Sequence, residues 1–387
     1  MLFQTEKKEY TAPVKNLAMT ENMNTGFTAA SFKYGIMLLA LVSFFQGCGC
    51  NEQSAEYTFP EFRKNAEAEF EIISEELFGL NAISDIEVHD STVIVTAVSM
   101  EDGKILHIYD KDSGAPLMHT LNYGRGPKEL LFASNCSFDK HTATMTFFDN
   151  LASKKLTVNM DSLLVLGIGA IKRTDWQAPR WNVHDIVLEK GTLLTYNISF
   201  LQRDTSSVKR MALKDRLGDV ISTYDRFPEI DDDRKRFMMY TNEIIDASPN
   251  GERFAVTSSL GGILETFSVE NGTIKNLSTR YFVEPDFKIE GNRYVYDDLT
   301  DAFCDLYADD EVIFAAFGGE TRMSGSGQKE QIPPFRNVAI FDWKGNALEQ
   351  IRTDHRIDRL CFVKEENTIY AVIKDPDGKS YIGRIRL

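Results

Sequence analysis

The sequence lacks the residue patterns by which most catalytic and cofactor sites are identified. It contains no GxSxG nucleophile elbow, no HExxH zinc motif, no phosphate-binding Walker loop and no EF-hand spacing. Gly325-Ser326-Gly327 lies in a polar insert and does not indicate a dinucleotide-binding turn. The six histidines are scattered without metal-ligand spacing. From the sequence we therefore assign no catalytic residue, no cofactor and no metal site.

Two aspartate clusters offer the carboxylate oxygens that Ca²⁺ prefers. They are residues 231–233 and the group formed by Asp297, Asp298 and Asp301. Runs of like charge in predicted loops are more often solvated than ligating. We interpret both clusters as solvated loop charge.

Arginine and aromatic residues are the main candidates for ligand binding. They are concentrated in polar segments that are predicted to be loops, and such side chains can stack on sugars and bind carboxylates. They favour an anionic or sugar-like ligand. Trp176 and Trp181 have an alternative role, which is to fill the gap between two neighbouring structural units. The candidate ligand-binding residues are Arg125, Glu129, Trp176, Arg180, Trp181, Arg293, Tyr294, Tyr296 and Arg322.

The composition indicates a folded protein that does not bind nucleic acid. Of the 387 residues, 43% are hydrophobic, which is enough for a large core. Acidic residues outnumber basic ones by 58 to 43, and the formal net charge is −15. A nucleic-acid surface needs clustered Lys and Arg, so we expect no nucleic-acid partner.

One pattern recurs six times, at intervals of 50 to 60 residues. Each unit has a short strand, a polar turn and a second, more apolar strand. The turns carry residues that tolerate tight hairpins, and the second strands are rich in Val, Ile, Phe and Thr. The six segments are Asp85–Ala97, Asn135–Asp149, Asp185–Asn197, Ile245–Ser258, Phe303–Phe317 and Leu360–Ile373.

Further strand-like runs follow each pair, and they predict an all-β fold, a six-bladed β-propeller with four-stranded blades. The sixth unit ends after its third strand, whereas a spare strand, Glu69–Ile73, precedes the first unit. We therefore predict that the N-terminal strand closes the last blade and removes two open sheet edges. A single β-sandwich would be shorter, and a doubly wound α/β fold would need amphipathic helices that the sequence lacks.

The cysteines beyond residue 50 are predicted to pack rather than react. Cys136, Cys304 and Cys361 each take the second position of a first strand, where Ile86 and Ile186 stand in two other units. An odd number of widely separated cysteines is not a disulfide framework.

The N-terminal region predicts export and lipidation. Ile36–Phe45 is a run of ten nearly continuous apolar residues, too short to span a membrane but typical of a signal peptide. Lys33 precedes this run, and the stretch ending in Gly47-Cys48 resembles a bacterial lipobox, in which the Cys48 thiol carries the lipid. Two alternatives stay open: lipidation of Cys50, or an apolar strand or core helix.

The predicted domain organisation follows from these features. Residues 1–47 form a lipoprotein signal peptide, residues 48–66 a lipidated tether and residues 67–387 the propeller. Residues 1–22 exceed what a signal peptide needs, so we expect translation to start at Met23.

Residues 123–130 (YGRGPKEL) resemble the G-x-G-P-x-E-[FL] signature of six-bladed β-propeller lipoproteins of Bacteroidetes, which are similar to TolB-like and NHL-like propellers. The resemblance covers residues 48–387 and implies a lipid-anchored protein of the cell envelope, at the outer membrane. It supplies no catalytic residues. The glycines and Pro127 would hold Arg125 and Glu129 on a stiff turn, either as part of a site or simply as the corner between two blades.

These features predict an envelope lipoprotein that binds a glycan, a peptide or a partner protein without catalysis. The alternative is a polysaccharide-acting lyase or hydrolase that uses the funnel of the propeller. A third reading is a structural role in an outer-membrane complex.

Overall fold

The computed structural model describes residues 56–387 with gaps, and at Arg293, Tyr294 and Arg322 it describes the backbone only. The gaps are residues 78, 132–134, 150, 177–181, 190, 197–209, 216, 218, 231, 241–242, 259, 286, 291–292, 296–297, 301, 319–321 and 325–334.

Six sheets form a ring, five of them with four strands and one with five, so the predicted six-bladed β-propeller is confirmed. Two strands precede the first blade, β1 (Lys64–Ala68) and β2 (Glu71–Ile72). Blade one contains β3 (Leu80–His89), β4 (Thr92–Ser99), β5 (Lys104–Asp110) and β6 (Pro116–Asn122). Blade two contains β7 (Cys136–Asp139), β8 (Thr144–Asp149), β9 (Lys154–Asn159) and β10 (Ile171–Asp175). Blade three contains β11 (Asn182–Leu188), β12 (Gly191–Tyr196), β13 (Met211–Lys214) and β14 (Val220–Tyr224).

The second half of the ring repeats this arrangement. Blade four contains β15 (Ile244–Ala247), β16 (Arg253–Thr257), β17 (Gly262–Glu270) and β18 (Thr273–Val283). Four short strands follow: β19 (Lys288–Glu290) pairs with β20 (Arg293–Val295), and β21 (Asp298–Thr300) pairs with β24 (Arg322–Ser324). Blade five contains β22 (Phe303–Ala308), β23 (Val312–Phe317), β25 (Asn337–Asp342) and β26 (Ala347–Thr353). Blade six contains β27 (Arg356–Val363), β28 (Thr368–Lys374) and β29 (Ser380–Arg386).

Strand β2 supplies the fourth strand of blade six and closes the ring. It pairs antiparallel with β29, and Glu71 accepts two hydrogen bonds of 2.8 Å from the Arg384 guanidinium. Phe70 packs against Gly383, where an added Cβ would lie only 3.0 Å from the Phe70 ring. The closing strand predicted over Glu69–Ile73 is therefore present.

The segment before β2 also packs against the ring, which the sequence does not predict. Strand β1 pairs in parallel with β26 and extends blade five to five strands. Ahead of it, Tyr57 contacts Tyr281 of blade four edge to face, and Phe62 contacts Phe317 and Phe341 of blade five. Residues 57–66, assigned to the tether by sequence, thus contact two blades. The β1 sequence KNAEA is too polar to indicate a strand.

The core lies between neighbouring blades. Apolar side chains of the second and third strands fill it, and β4 is buried along nearly its whole length. Cys361 is buried in this core, while Cys136 and Cys304 are half-buried on inner strands. Burial raises the pKa of the Cys136 and Cys361 thiols, which keeps them protonated, as expected for packing residues.

Two short helices interrupt the strand pattern among the described residues. Helix α1 (Met160–Leu166) joins β9 to β10, is capped by Asn159, and continues into a 3₁₀ turn at Gly167–Ala170. Helix α2 (Asp233–Met239) precedes blade four and is capped by Asp232. Another 3₁₀ turn covers Lys364–Glu366. No helix in the described part of the chain is long and apolar enough to cross a bilayer.

Candidate functional site

The inner strands of the six blades surround the axis, and polar side chains join one strand to the next. The carboxylate of Asp246 accepts a hydrogen bond of 2.6 Å from the amide of Ala308, and Asp305 accepts one of 2.8 Å from Leu360. Between blades six and one, the guanidinium of Arg359 donates to the carbonyl of Ser84 at 3.0 Å. These contacts hold the inner strands in register and place acidic groups at the centre of the ring.

Two adjoining cavities occupy this centre. The axial channel, of about 310 Å³, lies among Asp85, Glu87, Asp246, Asp305 and Arg359. The mouth cavity, of about 510 Å³, opens beside the hairpins that follow the inner strands. It is bounded by Asp139–His141, Leu188–Glu189, Ala247–Gly251 and other residues. The two cavities share Glu87, Ser137, Phe138, Asp246 and Tyr307, so they lie next to each other.

Lys140 lies at the junction of the two cavities. Its ammonium group donates to the hydroxyl of Tyr307, lies 4.3 Å from the centre of the same ring, and is 3.8 Å from Glu87. Burial raises the pKa of Tyr307 well above its ordinary value, so this hydroxyl is a neutral hydrogen-bonding group. The arrangement gives the junction one cation, one neutral hydroxyl and one carboxyl group.

Burial also governs the protonation of the axial carboxyl groups. It raises the pKa of Asp246 to about 7 and that of Asp305 to about 8, against the hydrogen bonds and the Arg359 charge that favour ionisation. The pKa of Glu87 is raised well above its usual range, and that of Asp85 is also raised, in both cases mainly by burial. Asp246 and Asp305 therefore change charge near neutral pH, where ordinary carboxylates do not.

Carboxylates outnumber cations along the described lining of the two cavities. Eight acidic residues face three Lys or Arg residues, Lys140, Lys155 and Arg359. The acidic residues are Asp85, Glu87, Asp139, Glu189, Asp215, Glu243, Asp246 and Asp305. The described space is therefore suited to a positively charged ligand at a pH high enough to ionise its buried carboxyl groups.

The comparisons with known proteins agree with this architecture. A family model described as a TolB-like six-blade propeller matches residues 59–367. The chain belongs to the TolB-like six-blade propeller family. No curated protein matches it in sequence.

Among solved structures, this TolB-like propeller is similar to a candidate exported protein of Bacteroides fragilis, with a TM-score of 0.53 and 10% identity over 84% of this chain and 99% of the other. It is also similar to a member of the DUF4221 family from Bacteroides vulgatus, with a TM-score of 0.49 and 10% identity over 86% and 98% of the two chains. At this identity the likeness concerns the fold alone.

The structure places Trp176 at the edge of the mouth cavity, between blades two and three. The indole is 7% exposed, packs against Phe148 and Val187, and lies 5.4 Å from the ammonium of Lys155. Its N–H has no hydrogen-bond partner among the described residues. Trp176 thus fills the gap between two blades and at the same time forms part of a cavity wall.

Arg125 and Glu129 lie away from both cavities, on the loop that joins blades one and two. Arg125 is exposed. The Glu129 carboxylate accepts a 2.6 Å hydrogen bond from the amide of Gly126, and an added Cβ at Gly124 would approach it to 2.2 Å. The Glu129 side chain folds back over the two glycines. This geometry is that of a corner between blades.

The remaining predicted site residues are only partly described. Arg293 and Tyr294 lie on β20 and Arg322 lies on β24, and only their backbones are described. Arg180, Trp181, Tyr296 and the predicted lipidation residue Cys48 lie outside the described residues.

The sequence analysis did not select the residues of the axial channel. Asp85 and Glu87 alternate along β3, as Asp305 and Tyr307 do along β22, so each pair points to the same side of its strand. Alternating polar residues in the first strand of each unit were the available signal. The polar residues that different units contribute to the channel are separated by more than 50 residues in the sequence, and only the ring geometry brings them together.

One group of side chains outside the cavities has the composition of a metal site. One ligand atom from each of His89, Asp90 and Asp161 lies within 4.8 Å of the other two. The His89 ring already contacts Asp161 at 2.7 Å, and both carboxylates are largely exposed. A hydrogen bond between His89 of blade one and Asp161 of blade two accounts for this arrangement.

Proposed function

We propose that this TolB-like propeller is an exported, lipid-anchored envelope protein that binds a positively charged ligand, such as a basic peptide segment of a partner protein, in its mouth cavity. The observation that carries the proposal is the excess of carboxylates around a cavity of about 510 Å³. Ionised carboxylates with low-dielectric walls attract cations, and Phe138, Tyr307 and Trp176 offer aromatic surface beside them. Among the glycan, peptide and protein ligands that the sequence allows, this lining favours a basic peptide.

Calorimetric titration of the purified chain with a ten-residue lysine peptide tests the proposal. At pH 8.5, above the pKa of Asp246, we expect the double variant Glu87→Gln/Asp246→Asn to bind at least about tenfold more weakly, because a contact with the ionised Asp246 carboxylate contributes roughly 1.5–3 kcal/mol. The matched control is Asp112→Asn/Asp377→Asn, which makes the same kind of carboxyl-to-amide replacement at two exposed positions. Equal weakening in both double variants would mean that the peptide binds the acidic surface and not the cavity.

The enzyme alternative is supported by one observation, the raised pKa of the axial carboxyl groups. A carboxyl with a pKa of about 7 or 8 can donate a proton near neutral pH, as a glycoside hydrolase requires. Both groups, however, accept hydrogen bonds from the neighbouring inner strand, which is a structural use. Incubation of the purified chain with polysaccharides decides between the two functions. New reducing ends or unsaturated products would show that the protein is an enzyme and not a non-catalytic binding protein.

The arginine and aromatic residues selected from the sequence form a second proposal, for an anionic or sugar-like ligand at the loops that precede the inner strands. In the same titration, an oligosaccharide of uronic acids serves as the competing probe. Binding of that probe with no binding of the lysine peptide would reverse the ligand class. It would direct attention to the loop residues, Arg125, Arg180, Trp181, Arg293, Tyr294, Tyr296 and Arg322.

The proposal of export and lipidation is supported by the apolar run Ile36–Phe45, by the Gly47-Cys48 junction, and by the Bacteroides fragilis relative of similar fold. We expect Cys48→Ala to abolish incorporation of radiolabelled palmitate and retention in the membrane fraction. Cys50→Ala is the control and should retain both. If palmitate still enters the Cys48→Ala chain, the lipid is carried elsewhere, with Cys50 the first candidate.

A further inference from the structure

Helix α1 and the 3₁₀ turn that follows it expose a group of aliphatic side chains at the outer end of blade two. We call Leu164, Val165, Leu166 and Ile168 the apolar turn. Their exposed fractions run from 43% for Leu164 to 81% for Val165. Leu117, 52% exposed, lies on the neighbouring strand β6, which the 3₁₀ segment contacts.

The local structure fixes these side chains on the outside. Met160 and Leu163 of the same helix are buried in the core between blades one and two. Asn159 caps the first turn by accepting a 2.9 Å hydrogen bond from Ser162, and Gly167, with a φ of +55°, ends the helix. Because both faces of a seven-residue helix are apolar, burying one face necessarily exposes the other. Contiguous exposed apolar groups of this kind usually mark an interaction surface.

Basic side chains border the apolar turn. The Lys128 ammonium donates to the carbonyl of Ile168 at 2.9 Å, and Lys172 and Arg173 are exposed on β10 directly after the turn. The nearby carboxylates are paired, Asp161 with His89 and Asp175 with Arg173. On a chain of net charge −15, an aliphatic group bordered by three cations is a local exception.

We propose that the apolar turn docks onto an anionic lipid bilayer, with Lys128, Lys172 and Arg173 contacting the lipid headgroups. Short apolar segments with basic borders bind at bilayer interfaces by combining buried apolar area with attraction to anionic lipids. A protein interface would instead be expected to centre on aromatic, Met or Arg side chains, and the four members of the turn are all aliphatic. The inference rests on the proposed envelope location, because it requires a membrane near the propeller.

The apolar turn also lies beside the opening of the mouth cavity. The amide of Met160, at the start of α1, donates to the carbonyl of Ala143 at 2.8 Å. The same hairpin contributes Asp139, Lys140 and His141 to the cavity wall. Docking through the turn would therefore bring the opening of the cavity close to the membrane surface.

The experiment uses the full chain in vesicles and a local fluorescence reading at the turn. Leu166→Trp places an indole in the apolar turn, and Leu277→Trp places one at an exposed site of blade four as the matched control. Each variant is mixed with vesicles of phosphatidylglycerol or phosphatidylcholine that carry brominated acyl chains, which quench only nearby indoles. The emission of the native tryptophans is subtracted by means of the unsubstituted chain.

We expect blue-shifted and strongly quenched emission for Leu166→Trp with phosphatidylglycerol, less with phosphatidylcholine, and none above background for Leu277→Trp. Adding Lys128→Gln and Lys172→Gln should remove the preference for phosphatidylglycerol. Melting curves verify that each variant folds, and Val165→Trp replaces Leu166→Trp if it does not.

A chain that floats with the vesicles without quenching at position 166 overturns the docking proposal and leaves the lipid anchor intact. A chain that stays off the vesicles overturns both. The turn could also be shielded from water in the absence of lipid, in a dimer of the chain. If Leu166→Asp dissociates that dimer, the surface is occupied by a second copy of the chain and not by a bilayer.

Discussion

At the scale of single residues, burial decides the charge of the axial carboxyl groups. Asp246 and Asp305 each accept an amide hydrogen bond that favours ionisation. The pKa nevertheless rises to about 7 for Asp246 and to about 8 for Asp305, because the effect of desolvation at the axis is larger than that of the hydrogen bond. Their sequence neighbours do not reveal this environment, because the amides of Ala308 and Leu360 and the Arg359 charge all come from the next blade. For that reason the sequence could predict the strands but not the site.

The raised pKa of Asp305 makes a prediction about stability. Between about pH 4 and pH 8 the folded chain holds a proton on this group that the unfolded chain has released. Ionisation of this single group therefore lowers the free energy of unfolding by up to about 1.4 kcal/mol per pH unit as pH rises through that window. Asp305→Asn, which can still accept from Leu360, removes this contribution. Its melting temperature relative to the unsubstituted chain should rise from pH 5 to pH 8.

Asp110→Asn provides the control for this measurement. Hydrogen bonds from Ser113 lower the pKa of Asp110, so that group is ionised in both folded and unfolded chains above about pH 5. Its substitution should change the melting temperature equally at the two pH values. A parallel, pH-independent change for Asp305→Asn would refute the assigned pKa.

At the scale of elements, the repeat made most of the fold predictable. Turn residues and β-branched second strands recur in every unit, so the six blades and the closing strand could be placed without coordinates. Strand β1 and helix α1 could not. The first is polar and is held by backbone pairing with β26, and the second has only seven residues and is held by Asn159 and buried Leu163.

A buried ion pair joins the elements of blades three and four. The Arg210 guanidinium contacts both oxygens of Glu265 at 2.6 and 3.0 Å, and the Tyr240 hydroxyl, next to α2, donates to the same carboxylate. Burying a charged pair contributes little net stability, but it fixes which groups face each other. The sequence gives no sign of this pair, because Arg210 and Glu265 belong to different units.

The closing strand makes a prediction at the same scale. Phe70 is buried between β29 and the core of blade six, so Phe70→Ala should lower the free energy of unfolding by about 3–5 kcal/mol. Denaturant unfolding measures this change. Phe59→Ala, which truncates a more exposed phenylalanine before β1, is the control and should cost less. Equal and small losses for the two variants would mean that the ring does not depend on its N-terminal closure.

At the scale of the whole molecule, the ring converts a repeated strand pattern into a central acidic cavity. Pairing β2 with β29 joins the two ends of the propeller, so the inner strands are held around one axis. The positions of the inner strands and of the acidic cavity therefore depend on geometry that no single unit contains.

The affinity for the lysine peptide, measured by calorimetry at pH 6 and pH 8.5, tests the central claim most directly. The lysines of the peptide and ordinary surface carboxylates keep their charge over this interval, whereas Asp246 and Asp305 lose protons. If the cationic ligand binds in the mouth cavity, which Asp246 lines, its affinity rises with pH, and Glu87→Gln/Asp246→Asn reduces that rise. An affinity that stays constant or falls between pH 6 and pH 8.5 would contradict binding at the axial carboxylates.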